Sequence, residues 1–399
     1  MTSSAGKLTL TFILQCYLFC YPESNSGLAV RTTQYPYEFA RRSVKVVTIR
    51  IRRLEGLVER FGGDQADVAL VSMANLSFRA RTGKACRGPD RVRFMDWGAH
   101  LPHLGRQATP EHLTSFVTTC DRIGMHSVWT SDHIAWPKDI EAKYPYTDDG
   151  SFPAPPGLPW LDPIGTLFYA AALSEKILLG TTVLILGYRP VVQTAKAWAS
   201  LDALSKGRAL LGVGVGWMRE EFEALQMPFD HRGARADEQL EAFEKLFGED
   251  WPSFDGTYTK FPAIGFYPRP EGGRIPVWVG GDSAPAYRRT ARFGDVFHAA
   301  FQTEAQLVSH RAGVVAACES GGRDSSQIGF STRVYLDLDG EANPEKSIVG
   351  STQQMIETAA RLRSLGYEHV LLDITGRGGP ERRLEGLVQF MSDVAPALR

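Results

Sequence analysis

The stretch VWTSDHIAWP, residues 128–137, places a carboxylate, an imidazole and an indole (Asp132, His133 and Trp136) at the end of a strand-like apolar run. An imidazole gives or takes a proton near neutral pH, and a carboxylate beside it can orient or polarise it. Two further histidines, His100 and His103, end another apolar run in RFMDWGAHLPH. Glycine-rich turns form a second kind of signal. GVGVGW (Gly212–Trp217) places Gly214 and Gly216 between an apolar run and a helical stretch, and WVGGDSAP does the same with Gly280, Gly281 and Ser283. Glycines there let backbone N–H groups approach an anion at a helix start. Two such turns on neighbouring strands favour a phosphate-bearing cofactor over two purely structural turns.

Other chemistries fit less well. The G-x-G-x-x-G spacing of dinucleotide-binding folds is missing from GVGVGW, and no acidic residue ends a strand about twenty residues on. A methyltransferase reading of the same turn predicts fewer than eight strands. A serine nucleophile lacks its G-x-S-x-G elbow. HLPH does not match the H-x-H spacing of metal-dependent barrel hydrolases. The five cysteines (Cys16, Cys20, Cys86, Cys120, Cys318) form no zinc-ligand set. No metal is expected, and the thiols read as reduced, in a cytoplasmic enzyme.

The elements that must position these residues begin at Arg93. Eight strand-like runs alternate with helical stretches: RFMDWGAHLP, SVWTSD, ILLGTTVLI, RALLGVGV, PVWVGG, DVFHAAF, IGFSTRVYLDL and HVLLDIT. The first helix, TPEHLTSFVTTCDRIG, has Thr109 to cap it, Pro110 at its first position and Gly124 to close it. A later one, TQQMIETAARLRSLG, puts Met355, Ile356, Ala359 and Leu362 on one face. This is the rhythm of an α/β fold, a (βα)8 TIM barrel. A doubly wound sheet would leave the last repeats without a place. Two connections are long: residues 133–162, rich in Pro, Tyr and Asp, and residues 251–275, which read as a small hairpin insertion. The first is expected to cover the site; the second shapes the site or serves a subunit contact.

The net charge of −1 excludes a global nucleic-acid footprint. The charge is uneven, however: residues 1–92 carry 14 Lys+Arg and 7 Asp+Glu, and the remainder 30 and 38. Residues 1–92 show no sustained periodicity and read as an N-terminal extension, poorly ordered or a start-site artefact, ahead of a barrel domain over 93–399. Leu8–Cys20 is apolar but too short to span a bilayer comfortably, and no clean cleavage site follows it. No membrane association is expected.

Together the motifs from RFMDWGAHLP to PVWVGGDSAPAYRRTARFGDVFHA resemble the bacterial luciferase-like flavin and deazaflavin oxidoreductases, most of all the branch that uses coenzyme F420. The resemblance covers about residues 93–399. It implies a TIM barrel with the ring at the C-terminal mouth and a small-molecule substrate. It implies His133 as the proton-transfer group, with Asp132 and Trp136 shaping the ring and substrate pocket. Thr182 and Val183 would flank a non-proline cis peptide against the ring, and Gly214, Gly216, Gly280 and Gly281 would surround the phosphate-bearing chain. An FMN-dependent monooxygenase on the same fold is the alternative, and a non-catalytic flavin or deazaflavin carrier is the reading of another class. Relatives often form homodimers. Trp217 and Glu220 stand where the family's sugar-phosphate dehydrogenases carry glutamate and asparagine, so the resemblance does not carry over a sugar-phosphate substrate.

Overall fold

The computed structural model describes residues 30–33, 46–49 and 95–398, apart from 148 and 153–156. The chain divides into two compact units, Met1–Gly88 and Pro89–Arg399. In the first, Val30–Thr33 pairs antiparallel with Val46–Ile49. The SVKVVTIRIRR stretch thus contributes a paired strand. The apolar Leu8–Cys20 stretch and the basic RARTGKACRGPDR run lie outside the described residues.

The second unit is a closed parallel barrel. Its strands are β1 (Asp96–His100), β2 (Ser127–Thr130), β3 (Leu178–Thr181), β4 (Ala209–Gly214), β5 (Val277–Gly280), β6 (Val296–Ala300), β7 (Gly329–Asp337) and β8 (His369–Thr375). Each pairs in parallel with the next, and β8 returns to β1. Nine helices surround it: α1 (Pro110–Ile123), α2 (Pro163–Leu173), α3 (Val191–Ser205), α4 (Arg219–Ala224), α5 (Arg232–Gly248), α6 (Ala284–Phe293), α7 (Glu304–Ser320), α8 (Thr352–Ser364) and α9 (Gly379–Asp393), counted among the described residues. None is long and apolar enough to cross a membrane.

Local chemistry explains the boundaries. The Thr109 side chain accepts from His112 N, Pro110 opens α1, and Gly124 ends it at φ 76°. Helices α7 and α8 each start in a reciprocal capping box, Thr303 with Gln306 and Ser351 with Gln354. The strands' outward residues pack against these helices, as Trp97 does edge-on against Phe390 at 4.8 Å. The inward residues are unusual for a barrel. Trp129, Leu210, Trp278 and Leu371 form an apolar cluster, and buried Ser127, His298, Ser331 and His369 lie beside it.

The 251–275 insertion contains the expected hairpin, Phe254–Asp255 against Lys260–Phe261. It joins α5 to β5, so it leaves the barrel at the N-terminal ends of the strands. It lines no part of the cavity described next.

Candidate active site

A cavity of about 1500 Å³ opens at the C-terminal ends of the strands. His133, Thr182, Val183, Gly214, Gly216, Gly280, Gly281 and Ser283 all line it, as does Asp132. The two sequence signals, the histidine after β2 and the glycine turns after β4 and β5, thus converge on one space.

His133 is held by a residue that the sequence reading missed. Its Nδ1 lies 2.6 Å from Glu221 Oε2, on α4. Glu221 is fully buried and also accepts from Ile134 N at 2.7 Å, Ala135 N at 3.2 Å and the Tyr188 hydroxyl at 2.8 Å. Burial pushes this carboxyl up, but the hydrogen bond and charge of His133 and the other donors outweigh it and hold it below its ordinary value. Glu221 therefore stays ionised at neutral pH. With Nδ1 engaged, Nε2 is the ring nitrogen left for a ligand. The one available signal was the Glu220-Glu221 pair at the start of a helix that follows a barrel strand.

Asp132 does something different from what was expected. Its carboxylate forms a two-pronged pair with Arg189, Nη1 to Oδ2 at 2.7 Å and Nη2 to Oδ1 at 2.9 Å. It also accepts from Ile185 N at 2.9 Å. Burial raises its carboxyl above the ordinary value, against the pull of Arg189 and that N–H. Asp132 ties the segment after β3 to the rim. Orientation of His133 falls to Glu221, whose carboxylate bonds its Nδ1.

The peptide between Thr182 and Val183 is cis, as the resemblance implies. The glycines around it also serve packing. A Cβ on Gly214 would lie 2.4 Å from Val183 Cγ2, and one on Gly280 would lie 2.7 Å from Val183 Cγ1. Their missing side chains make room for Val183. Gly216, at φ 78°, faces Ile185 and Phe222. The start of α6 stays open, with the exposed Ser283 making no side-chain cap, and Arg232, whose Nε bonds Gly216 O, lines the same cavity.

The 133–162 loop covers the rim as expected. Glu220 Oε1 accepts from Glu141 N and Ala142 N at 2.7 and 3.0 Å, so α4 pins the loop a second time. Its rings gather round His133: Phe152 at 5.4 Å, Trp160 at 4.8 Å and, from the β4 turn, Trp217 at 6.3 Å between centroids. Trp136 also touches His133, at 5.5 Å, but it does not line the cavity and packs behind, on Phe152 and Trp160. Its place in the ring pocket is taken by the aromatics in front of it.

Across the cavity Arg333 pairs with Asp373 and donates to Ser131 Oγ at 3.1 Å. The buried Arg333 Nε has no hydrogen-bond partner. His100 bonds the same Ser131 hydroxyl at 2.8 Å, and His103 the Ser131 carbonyl at 3.0 Å. Both histidines are structural ties between β1 and β2, and burial lowers both below the ordinary imidazole value. Among the described residues no cluster of His, Cys, Asp and Glu is placed to hold a metal. Cys120 and Cys318 are buried and unpaired.

The chain belongs to the luciferase-like monooxygenase family, which it matches over residues 92–343. An uncharacterised protein of Mycobacterium tuberculosis is 34% identical over 175 residues, 44% of this chain and 60% of that protein. An F420-dependent glucose-6-phosphate dehydrogenase of Beutenbergia cavernae is 34% identical over 196 residues, 48% of this chain and 53% of that enzyme. The chain thus spans little more than half the length of these relatives. Among solved structures, an F420-dependent secondary alcohol dehydrogenase bound to an F420–acetone adduct superposes with a TM-score of 0.63 at 15% identity, over 77% of this chain and 99% of that one. At that identity the likeness shows the fold.

Proposed function

We propose that this protein is an oxidoreductase that moves a hydride between coenzyme F420 and a small organic substrate, with His133 as the proton-transfer group. The observation that carries the reading is the His133–Glu221 pair at the mouth of a large, aromatic-walled cavity. An ionised, fully buried carboxylate on Nδ1 fixes the imidazole's tautomer and orientation and leaves Nε2 to exchange a proton with a ligand.

The cavity's features suit such a cofactor. The open start of α6 and Arg232 offer donors to a phosphate-bearing chain. Val183, on the cis peptide, gives a flat ring an apolar surface. Arg333 adds a positive charge to the cavity wall. When bound, the deazaflavin would supply or accept the hydride. The chain's own residues do the rest: the 133–162 loop excludes water, its rings orient an apolar or ring-bearing substrate, and His133 moves the matching proton. The B. cavernae relative supports the cofactor. Trp217 and Glu220 argue against a sugar phosphate, because Trp217 walls the cavity and Glu220 is spent on the loop backbone.

The family's monooxygenases support FMN as the alternative cofactor, with reduced flavin activating oxygen. Parallel fluorescence titrations with F420 and FMN separate the two readings, and a panel of alcohols, aldehydes and enones then tests hydride transfer. His133→Ala is expected to retain F420 binding and to lose about 10²- to 10⁴-fold in kcat, the range of a general acid–base group. Unchanged turnover with cofactor bound would remove His133 from this role. A protein that binds cofactor and exchanges hydride with no substrate would be a carrier.

A further inference from the structure

A line of polar side chains crosses the barrel interior, and the chemistry above does not use it. It starts in the cavity, where Thr182 Oγ1 lies 2.9 Å from His298 Nε2. His298 Nδ1 is 2.9 Å from Ser331 Oγ, which is 2.8 Å from His369 Nδ1. His369 Nε2 is 2.9 Å from Ser127 Oγ, which is 3.2 Å from His126 Nδ1. His126 Nε2 faces Asp96 Oδ2 at 3.7 Å. Thr182 follows β3 at the C-terminal rim, whereas Asp96 and His126 sit where β1 and β2 begin, so the line spans the barrel. The five residues from Thr182 to Ser127 are buried. At the far end the side chains of His126 and Asp96 are 29% and 54% exposed.

Donor accounting shows what this line can do. A neutral imidazole has one N–H and one bare nitrogen, and a hydroxyl donates once. The Trp129 indole N–H donates to Ser127 Oγ at 2.8 Å. Ser127 therefore accepts from one of its two histidines and donates to the other. Two arrangements satisfy every hydrogen-bonded link from Thr182 to His126, beyond which His126 Nε2 faces Asp96. In one, each donor points from Thr182 toward Asp96. In the other, all are reversed. The passage of one proton along the line converts one into the other. Each hydroxyl or imidazole breaks one O–H or N–H bond and forms one on its other side. Nothing is oxidised or reduced, and the net result is one proton moved between the cavity and the opposite face.

Two further observations fit. A Cβ on Gly98 would lie 2.9 Å from His369 Nε2, from Ser127 Oγ and from Trp129 Nε1, so this junction occupies the space of an absent side chain. The surroundings also keep the imidazoles neutral. Burial lowers His369 well below the ordinary value, with His126 and His298 adding to it, and lowers His298 to about 3, with Arg333 adding to it. At the far end burial lowers His126 against the pull of Asp96. Burial and Glu368 raise Asp96 against the pull of His126. Neutral imidazoles relay a proton without trapping it, and the half-exposed Asp96 carboxylate takes it up at the far face.

We propose that Thr182, His298, Ser331, His369, Ser127, His126 and Asp96 form a proton conduit between the covered cavity and the N-terminal face of the barrel. Its purpose rests on the hydride-transfer reading, which leaves or takes a proton under the 133–162 loop. Its existence rests on the geometry alone, and the test separates the two. Ser331 lies mid-line and does not line the cavity; Ser331→Ala cuts the line and Ser331→Thr keeps the hydroxyl. In stopped-flow single turnovers, deazaflavin absorbance follows the hydride and a pH-indicator dye follows the proton. Ser331→Ala should leave the absorbance step within about twofold and slow the dye signal at least tenfold, and Ser331→Thr should restore it. A dye signal that keeps pace in Ser331→Ala overturns the proposal. The second arm needs no cofactor. In protein labelled with ¹⁵N-histidine, Thr182→Val should shift the tautomer balance of His369 and His126, and a Ser331→Ala background should abolish that shift. Signals of both histidines that ignore Thr182→Val overturn the conduit. If no substrate accepts a hydride, the functional reading fails and the labelled protein alone decides the conduit.

Discussion

Replacing Glu221 with Gln keeps the side chain's shape and removes the charge that holds His133. We expect kcat to fall about 10- to 100-fold, with KM nearly unchanged, since the loss falls on proton transfer. The sign of the acid dependence follows from the lowered Glu221 value. Its stabilising contribution is complete above its ordinary value of 4.5 and is lost as pH falls through the lower folded value. The pair should therefore survive throughout the neutral range, which a pH series of urea midpoints on wild type and Glu221→Gln will show. Asp132→Asn should behave oppositely. It breaks the buried pair with Arg189, so we expect a loss of about 3–5 kcal/mol in urea unfolding and no change in the shape of the kcat–pH profile. Sequence spacing brought Asp132 and His133 to the rim together. It could not show that the carboxylate serving His133 comes from α4, 88 residues further on, because that contact depends on how α4 packs beside β2.

At the scale of elements, the 182–183 bulge and the β4 and β5 turns form one interlocked piece. Gly214→Ala would push a methyl into Val183. We expect about 1–3 kcal/mol of destabilisation by overpacking, read as a lower melting temperature, and weaker cofactor binding in the same titrations. Glu220→Ala should leave the melting temperature within about 2 °C, as a partly exposed contact would, but should speed proteolytic cutting within 133–162. Much at this scale was legible. Thr109, Pro110 and Gly124 bound α1 as cap chemistry requires, and the covering loop and the hairpin both lie where the breakers put them. The roles of Gly214 and Gly280 were not legible. A glycine between strand and helix suits an approaching phosphate or an approaching side chain equally, and only packing shows that Val183 fills the space.

For the molecule as a whole, the histidines inside the barrel set the response to acid. His100, His103, His298 and His369 are all lowered by burial. Below the ordinary value of 6.5 the unfolded chain binds protons that the fold refuses, so stability falls as pH drops from there toward the folded values. Each such histidine contributes up to about 1.4 kcal/mol per pH unit. The urea midpoint should accordingly drop steeply between about pH 6.5 and 5, and less so in His298→Gln. A chain shortened to begin at Val92 should keep the barrel's melting temperature and cofactor titration, since Pro89–Arg399 is a compact unit by itself.

The sequence alone determined the eight-fold alternation, the closed barrel it demands, the rim as the place for chemistry, and His133 on that rim, while Thr182 and Val183 came only from the family resemblance. The alternation, the barrel and the place of His133 follow from local periodicity and turn chemistry, which adjacent residues encode. The tertiary structure decided the pairings: Glu221 with His133, Arg189 with Asp132, Val183 between two glycines, and the imidazole–hydroxyl line through a core whose strands read as simply apolar. Each joins side chains far apart in the chain, and only the closure of the barrel sets the distances between them.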